Sequence, residues 1–390
     1  MVYLYVSVDG CFVQVPKKQA QRSPRTSLFT SELQILSSIK AIILLQVWKL
    51  RNKTRFHPFD YCRLRGVVQK TLQILCGAGK QFRCIQSQEP GHSFPAMSSG
   101  AGGPKPLIAV CQVTSTPDRE NNWAACSQLV REATRRDACV VFLPEAFDFI
   151  GSCTEETLSL AEPLEGDYLQ RYVSLARECG VWLSLGGFHE RGKDWESTQR
   201  IYNCHLLVDP KGCVVAAYRK IHLFDVELEG RVSLKESAFT NPGSEMVPPV
   251  HTPAGKVGLA ICYDLRFPEM SLALAQAGAE ILTYPSAFTV TTGAAHWEVL
   301  LRARAVETQC YVVAAAQTGQ HHPRRTSFGH SMVVDPWGSI VAQCKEGPGL
   351  CFAEIDLAYL HRLRQEMPVF AHRQPRLYGR AAAEWGFASP

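Results

Sequence analysis

The stretch Val257-Gly-Leu-Ala-Ile-Cys-Tyr-Asp-Leu-Arg-Phe-Pro-Glu269 decides how this 390-residue chain is read. Val257–Ile261 is a short, nearly all-apolar run, the pattern of a strand buried on both faces. It stops at Cys262, and Tyr263, Asp264, Arg266 and Glu269 follow at once. Pro268 fits the first turn of a helix that continues through Met270–Gln276, because its missing N–H has no partner there anyway. A cysteine between a buried strand and a helix start meets free backbone N–H groups and the positive end of the helix dipole, which favour a thiolate. The same geometry suits a nucleophile with a backbone oxyanion donor beside it. The competing reading is that Cys262 is one more small buried hydrophobe, as most free cysteines are.

Outward from this elbow, the chain alternates strands and helices from Pro106 on. Leu107–Val113 reads as a strand, Asn121–Arg136 as a helix, and Ala138–Leu143 as a second apolar strand ending at Pro144-Glu145. Tyr168–Cys179 has helical spacing, and Val181–Gly187 is a third strand closed by two glycines. Ile201–Val208 and Cys213–Tyr218 flank Asp209-Pro-Lys-Gly212, a strong hairpin signal. After the elbow come strand Ile281–Tyr284, helix Ala294–Thr308 and strand Cys310–Ala316. A hairpin pairs His330–Val334 with Ile340–Cys344, and strand Gly349–Ile355 precedes helix Leu357–Gln365. This order predicts mixed sheets covered by helices, an α/β class.

Composition places the chain among globular proteins, with 46% hydrophobic and 20% charged residues. The net charge of +5 is unevenly spread. Residues 1–105 hold 15 Lys and Arg against four Asp and Glu, whereas residues 106–390 hold 26 against 32. A mildly acidic body with no basic stripe is not the profile of a nucleic-acid binder. Residues 1–105 are expected to be a basic, poorly ordered extension ending in the linker Ser98-Ser-Gly-Ala-Gly-Gly-Pro104, with one domain over 106–390. Leu64–Arg83 resembles a mitochondrial presequence set back from the N-terminus, and Met97 offers a second start. The expected location is the cytoplasm, with mitochondrial import through the extension as a second address. Lys40–Lys49 encloses an apolar run far short of the ~20 residues a membrane span needs. Fifteen cysteines without a C-x-x-C pair or a zinc-spaced cluster point to a reducing compartment and no metal.

Three strands end in a polar residue that packing alone does not require. Phe142-Leu-Pro-Glu145 puts a carboxylate at a strand tip, Tyr218-Arg-Lys220-Ile-His-Leu-Phe224 an amine inside an apolar stretch, and Ile261-Cys262 a thiol at the elbow. Singly, Glu145 reads as a loop cap and Lys220 as a snorkelling surface chain. Together they supply a nucleophile, a general base and a cation for an oxyanion, the parts of acyl transfer by a thiol.

In this order and these contexts the three segments resemble the carbon–nitrogen hydrolase (nitrilase) superfamily, over Leu107 to about Gly379. The resemblance implies a four-layer α-β-β-α sandwich, a homodimer, and catalytic Glu145, Lys220 and Cys262. It carries Glu236, in Ser233-Leu-Lys-Glu-Ser237, onto the family's second glutamate. It implies no cofactor. Ala109-Val-Cys-Gln-Val-Thr-Ser-Thr-Pro117 and Asp335-Pro-Trp-Gly-Ser-Ile340 look like an animal branch of the superfamily, which implies amide hydrolysis of a small ω-amide such as deaminated glutathione. The rival readings are an ω-amidase on 2-oxoglutaramate, a true nitrilase, and a signalling scaffold that keeps the fold. The backbone N–H of Tyr263 is the expected second oxyanion donor. Phe288, Thr289 and His296 are candidate pocket residues, although ordinary loop and helix roles fit them equally. His321-His-Pro-Arg-Arg325 reads as a solvated loop in preference to a rim meeting an anionic substrate.

Overall fold

A computed structural model describes residues 2–8, 11–17, 104–229 and 232–378. The linker Ser98–Gly103 and the presequence-like Leu64–Arg83 lie outside the described residues. By contacts the chain divides into residues 1–98 and 99–390. In the first unit, strands β1 (Val2–Val8) and β2 (Cys11–Lys17) pair antiparallel.

The second unit contains two large sheets. One has eight strands: β3 (Leu107–Val113), β4 (Val140–Leu143), β5 (Trp182–Glu190), β6 (Tyr202–Val208), β7 (Val214–Arg219), β14 (Ala316–His322), β15 (Arg325–Phe328) and β18 (Gly349–Glu354). They run in the order β15-β14-β3-β4-β5-β6-β7, with β18 also on β3. β3, β4 and β5 are parallel, and β6 and β7 continue antiparallel. The other sheet has the order β10 (Val250–Thr252), β11 (Gly255–Leu259), β12 (Ile281–Thr283), β13 (Tyr311–Ala314), β16 (Met332–Val334) and β17 (Ile340–Gln343). Between them in sequence, β8 (Asp225–Leu228) and β9 (Val232–Lys235) form a separate hairpin.

Side-chain alternation shows how the layers stack. Ile108, Val110, Val140 and Phe142 of the first sheet share a core with Val257, Leu259, Ile281 and Val312 of the second. Their neighbours Ala109, Cys111, Val113, Val141 and Leu143 face the other way. There they meet buried residues of helices α1 (Arg119–Arg135) and α3 (Asp167–Cys179), with the shorter α2 (Thr154–Leu160) between them in sequence. Helices α4 (Pro268–Gln276) and α5 (Val290–Thr308) contribute Leu274, Trp297 and Leu301 to the core around the second sheet, and α6 (Leu357–Glu366) adds Leu360. The result is the α-β-β-α sandwich. Strands buried on both faces need apolar residues at every position, which is why β4 and β11 read as continuous runs. At roughly 1.5–3 kcal/mol for each fully buried aliphatic side chain, this double burial leaves their register little freedom.

The elbow differs from its sequence expectation in one respect. β11 ends at Leu259, and Cys262 opens a five-residue 3-10 turn, Cys262–Arg266, with α4 starting only at Pro268. The thiol therefore faces a short turn and not the first turn of an α-helix, so the dipole at Cys262 is small.

Candidate active site

Glu145, Lys220, Glu236 and Cys262 line one cavity of about 110 Å³. Each is delivered by a different element. Glu145 follows Pro144 at the end of β4, Lys220 follows β7, Glu236 opens a 3-10 turn after β9, and Cys262 follows the β11 edge. Three of them thus come from strand ends in both sheets, β4 and β7 in the first and β11 in the second, and the fourth comes from the end of the β8–β9 hairpin.

Lys220 is 2% exposed, and Nζ donates 3.0 Å to Glu145 Oε1 and 2.9 and 3.1 Å to the two oxygens of Glu236. Asn203 Nδ2 bridges the same carboxylates, at 2.9 Å from Glu145 Oε1 and 3.2 Å from Glu236 Oε1. Backbone N–H groups complete the set: Ala287 donates to Glu145 Oε2 at 2.8 Å and Phe224 to Glu236 Oε2 at 2.7 Å. A buried ammonium between two carboxylates, with every oxygen hydrogen-bonded, meets the conditions under which buried charge is tolerated.

Burial pushes Glu145 towards its neutral form, but the Lys220 charge with the Cys262, Lys220 and Asn203 hydrogen bonds outweighs it, and the carboxyl lies below its ordinary value. For Lys220, burial opposes the charge and Glu145 and Glu236 restore it, so its pKa stands well above normal. Cys262 goes the other way. Burial and then the Glu145 charge raise the thiol well above its usual range, against the lowering effect of Lys220. The resting site therefore holds a carboxylate, an ammonium and a neutral thiol, in place of the thiolate that the sequence suggested. The reason is the carboxylate beside the sulfur and the weak dipole of a 3-10 turn.

Backbone conformation aims these groups. Cys262 adopts φ +45°, in the left-handed region that non-glycine residues enter only when neighbours impose it. Its N–H donates 2.9 Å to Pro285 O. Asp264, fully buried, pins the elbow: its carboxylate accepts from Ile261 N at 2.9 Å, Tyr218 Oη at 2.7 Å and His222 Nδ1 at 2.7 Å. Since Tyr218 and His222 flank Lys220, one carboxylate couples the thiol's turn to the ammonium's strand exit. Ala146, beside Glu145, has φ +56°, and its N–H donates 3.0 Å to Gly187 O. Gly187 has φ +69°, and a Cβ there would approach Glu145 Cα to 2.7 Å, so the close approach requires glycine. Gln317 Nε2 holds the carbonyls of Glu145 and Ala146, both at 3.0 Å.

Of the remaining sequence candidates, Tyr263, Phe288 and Thr289 line the cavity. Thr289 also caps α5, accepting from Thr292 N at 3.2 Å. His296 does not line it. Helix α5 begins at Val290, four residues before the expected start, and His296 lies exposed on it with Nδ1 3.3 Å from Arg266 Nη1. The expectation of a solvated loop at His321–Arg325 holds only at its tip, where Pro323 and Arg324 are exposed. His321 is buried, its Nδ1 donating 2.7 Å to Ser115 O and its Nε2 2.8 Å from Ser327 Oγ, while Arg325 lines the cavity. Sequence reasoning missed Asn203, Gln317 and His189, which lines the cavity with its Nδ1 2.9 Å from Asp148 Oδ1. Asn203 and His205 were visible as polar residues inside an apolar strand, where burial demands partners. Among the described residues no group of three His, Cys, Asp or Glu side chains is placed to hold a metal ion.

The family model for carbon–nitrogen hydrolases matches residues 107–365, which contain all four groups. The chain belongs to the carbon–nitrogen hydrolases. Among relatives, a deaminated glutathione amidase from Rattus norvegicus is 67% identical over 309 residues, 79% of this hydrolase and 94% of the rat protein. Among solved structures, the Caenorhabditis elegans NitFhit protein aligns with TM-score 0.67 at 52% identity, over 71% of this chain and 67% of its own. An amidase variant from Nesterenkonia sp. AN1 aligns with TM-score 0.59 at 26% identity, over 71% and 97%, and bears the acetamide moiety of fluoroacetamide on its active-site cysteine. The hydrolase thus acts on carbon–nitrogen bonds of the non-peptide, linear amide kind.

Proposed function

We propose that this hydrolase is a deaminated glutathione amidase that works through a Cys262 thioester, with Glu145, Lys220 and Cys262 as its catalytic residues. The observation that carries the reading is a thiol at a strained elbow in the same cavity as a carboxylate hydrogen-bonded to a buried ammonium. Glu145 removes the thiol proton as Cys262 Sγ bonds to the amide carbon. Lys220 and the N–H of Tyr263, an early amide of the turn without an acceptor inside it, take the oxyanion. The C–N bond then breaks, Glu145 passes the proton to the departing nitrogen, and an acyl thioester remains. Glu145 next deprotonates a water that attacks the thioester, releasing the acid and restoring the thiol. Glu236 keeps Lys220 charged and oriented throughout.

The substrate is supported by the name carried by the rat relative at 67% identity. A second copy of the chain is the partner assigned to the exposed apolar side of α5. Val299 is 68% exposed there, and Trp337, next to Gly338 beside Val306, is 59% exposed. The test is release of the amine from deaminated glutathione by the purified full chain and by Cys262→Ala. The wild type is expected to turn over and the variant to be inactive; equal rates would remove Cys262 from the reaction.

A further inference from the structure

The cavity wall carries more positive charge than the catalytic groups consume. Two carboxylates, Glu145 and Glu236, line it beside four cations, Lys220, Lys235, Arg266 and Arg325. Lys220 takes both carboxylates for itself. Lys235 stands opposite Asp225 in the β8–β9 register, and Arg266 is spent on His296 and on the rings of Tyr263 and Phe288. The Arg325 side chain has no hydrogen-bond or ion-pair partner among the described residues, although it is half-buried and opens on the cavity.

Its support is rigid. Arg325 begins β15, which pairs with β14 through Gln320 opposite Thr326 and Gly319 opposite Ser327. The turn preceding it is tied down by Arg324 Nη2, which donates 2.9 Å to Ser152 O, and by the two bonds of buried His321. Phe328 N donates 2.9 Å to Phe288 O, which fastens the hairpin to the cavity wall beside the elbow. The strand that carries Arg325 is thus fixed, and its guanidinium is a partly desolvated fork of donors with no internal acceptor, the arrangement that suits bidentate capture of a carboxylate.

We infer that Arg325 is a specificity-determining residue that anchors a carboxylate of the substrate, so the enzyme selects amides bearing an anionic group away from the scissile bond. This rests on the amidase reading above and extends it: a glutathione-derived amide meets the requirement, whereas a simple aliphatic amide does not. Arg325 takes no part in bond making or breaking.

Succinamate and butyramide test this, since they share the amide and the chain length and differ in one carboxylate. The measured quantity is the ratio of their kcat/KM values, from ammonia release by the full chain. In Arg325→Gln the preference for succinamate is expected to fall by about 10- to 100-fold, the range for a lost hydrogen bond to a charged group. Arg325→Lys is expected to recover part of it. An unchanged ratio, whether both rates hold or both fall together, overturns the inference. Calorimetric binding of succinamate to Cys262→Ala, with and without Arg325→Gln, reads the same contact without turnover. Weaker binding in the double variant supports the inference even if neither amide is hydrolysed, an outcome that would sink the amidase reading alone. Equal binding overturns it.

Discussion

At Lys220 two opposing effects meet. Burying an ammonium costs several kcal/mol, and two hydrogen-bonded carboxylates offset that cost only while all three charges are present. Lys220→Met is therefore expected to lower kcat/KM by an amount corresponding to about 2.7–4 kcal/mol, the scale of a lost oxyanion donor. Lys220→Arg is not expected to rescue it, because a planar fork does not fit a point-charge site. Wild-type rates in the arginine variant would show that positive charge alone is enough. The protonation states also set a pH profile. Glu145 lies below its ordinary 4.5 and Cys262 well above its ordinary 9.0. As pH falls, the base is lost only below the usual carboxylate range, and no thiolate accumulates through neutrality. A plot of kcat/KM is expected to stay level from about pH 5 to 8. A rise over that interval with the slope of one proton would mean that a free thiolate attacks.

The elements were legible to different degrees. β4, β11 and α4 follow from apolar runs and a proline at the first helical turn, because strands covered on both faces leave no room for polar residues. Glu145 and Cys262 stood out because each ends such a run, and Lys220 because it is an amine inside the apolar stretch where the β6–β7 hairpin exits. The β8–β9 hairpin and β15 were not legible: their short, mixed sequences are fixed by contacts to Glu236 and to the loop at Ser152 and not by local pattern. Those contacts decide where Lys235 and Arg325 sit. His205 of β6 is visible as a polar residue in an apolar strand, but its partners are not. Its Nδ1 donates 3.0 Å to Ala260 O and its Nε2 accepts from Ser184 Oγ at 2.7 Å, tying the first sheet to the residue two before Cys262. Burial lowers its pKa from 6.5 to about 4, and burial lowers His321 to about 4 as well. Between these values the unfolded chain binds more protons than the folded one, so stability present above pH 6.5 is lost as pH falls towards 4. For His205 alone the loss is on the order of 3 kcal/mol. Urea midpoints are expected to drop steadily from pH 6.5 to 4.5, and less in His205→Gln measured against its own neutral value. A flat wild-type midpoint would contradict the neutral, buried histidine.

For the molecule as a whole, every catalytic group and the whole family match lie within residues 107–365. We propose that the 106–390 domain folds and catalyses without the basic segment before it. A chain starting at Met97 is expected to keep the melting temperature and the amidase rate of the full chain, and to lose any mitochondrial import that the full chain shows. A melting temperature lower by more than a few degrees would make the segment part of the fold.

The proposed chemistry turns on a covalent intermediate at Cys262, and mapping the acylated residue tests for it. Wild-type enzyme mixed with excess deaminated glutathione, quenched in acid within a turnover and digested, is expected to carry the acyl group as a thioester on the peptide containing Cys262, with none in Cys262→Ser. Acyl mass on any of the other 14 cysteines, or steady turnover with Cys262 absent, would rule out Cys262 as the nucleophile.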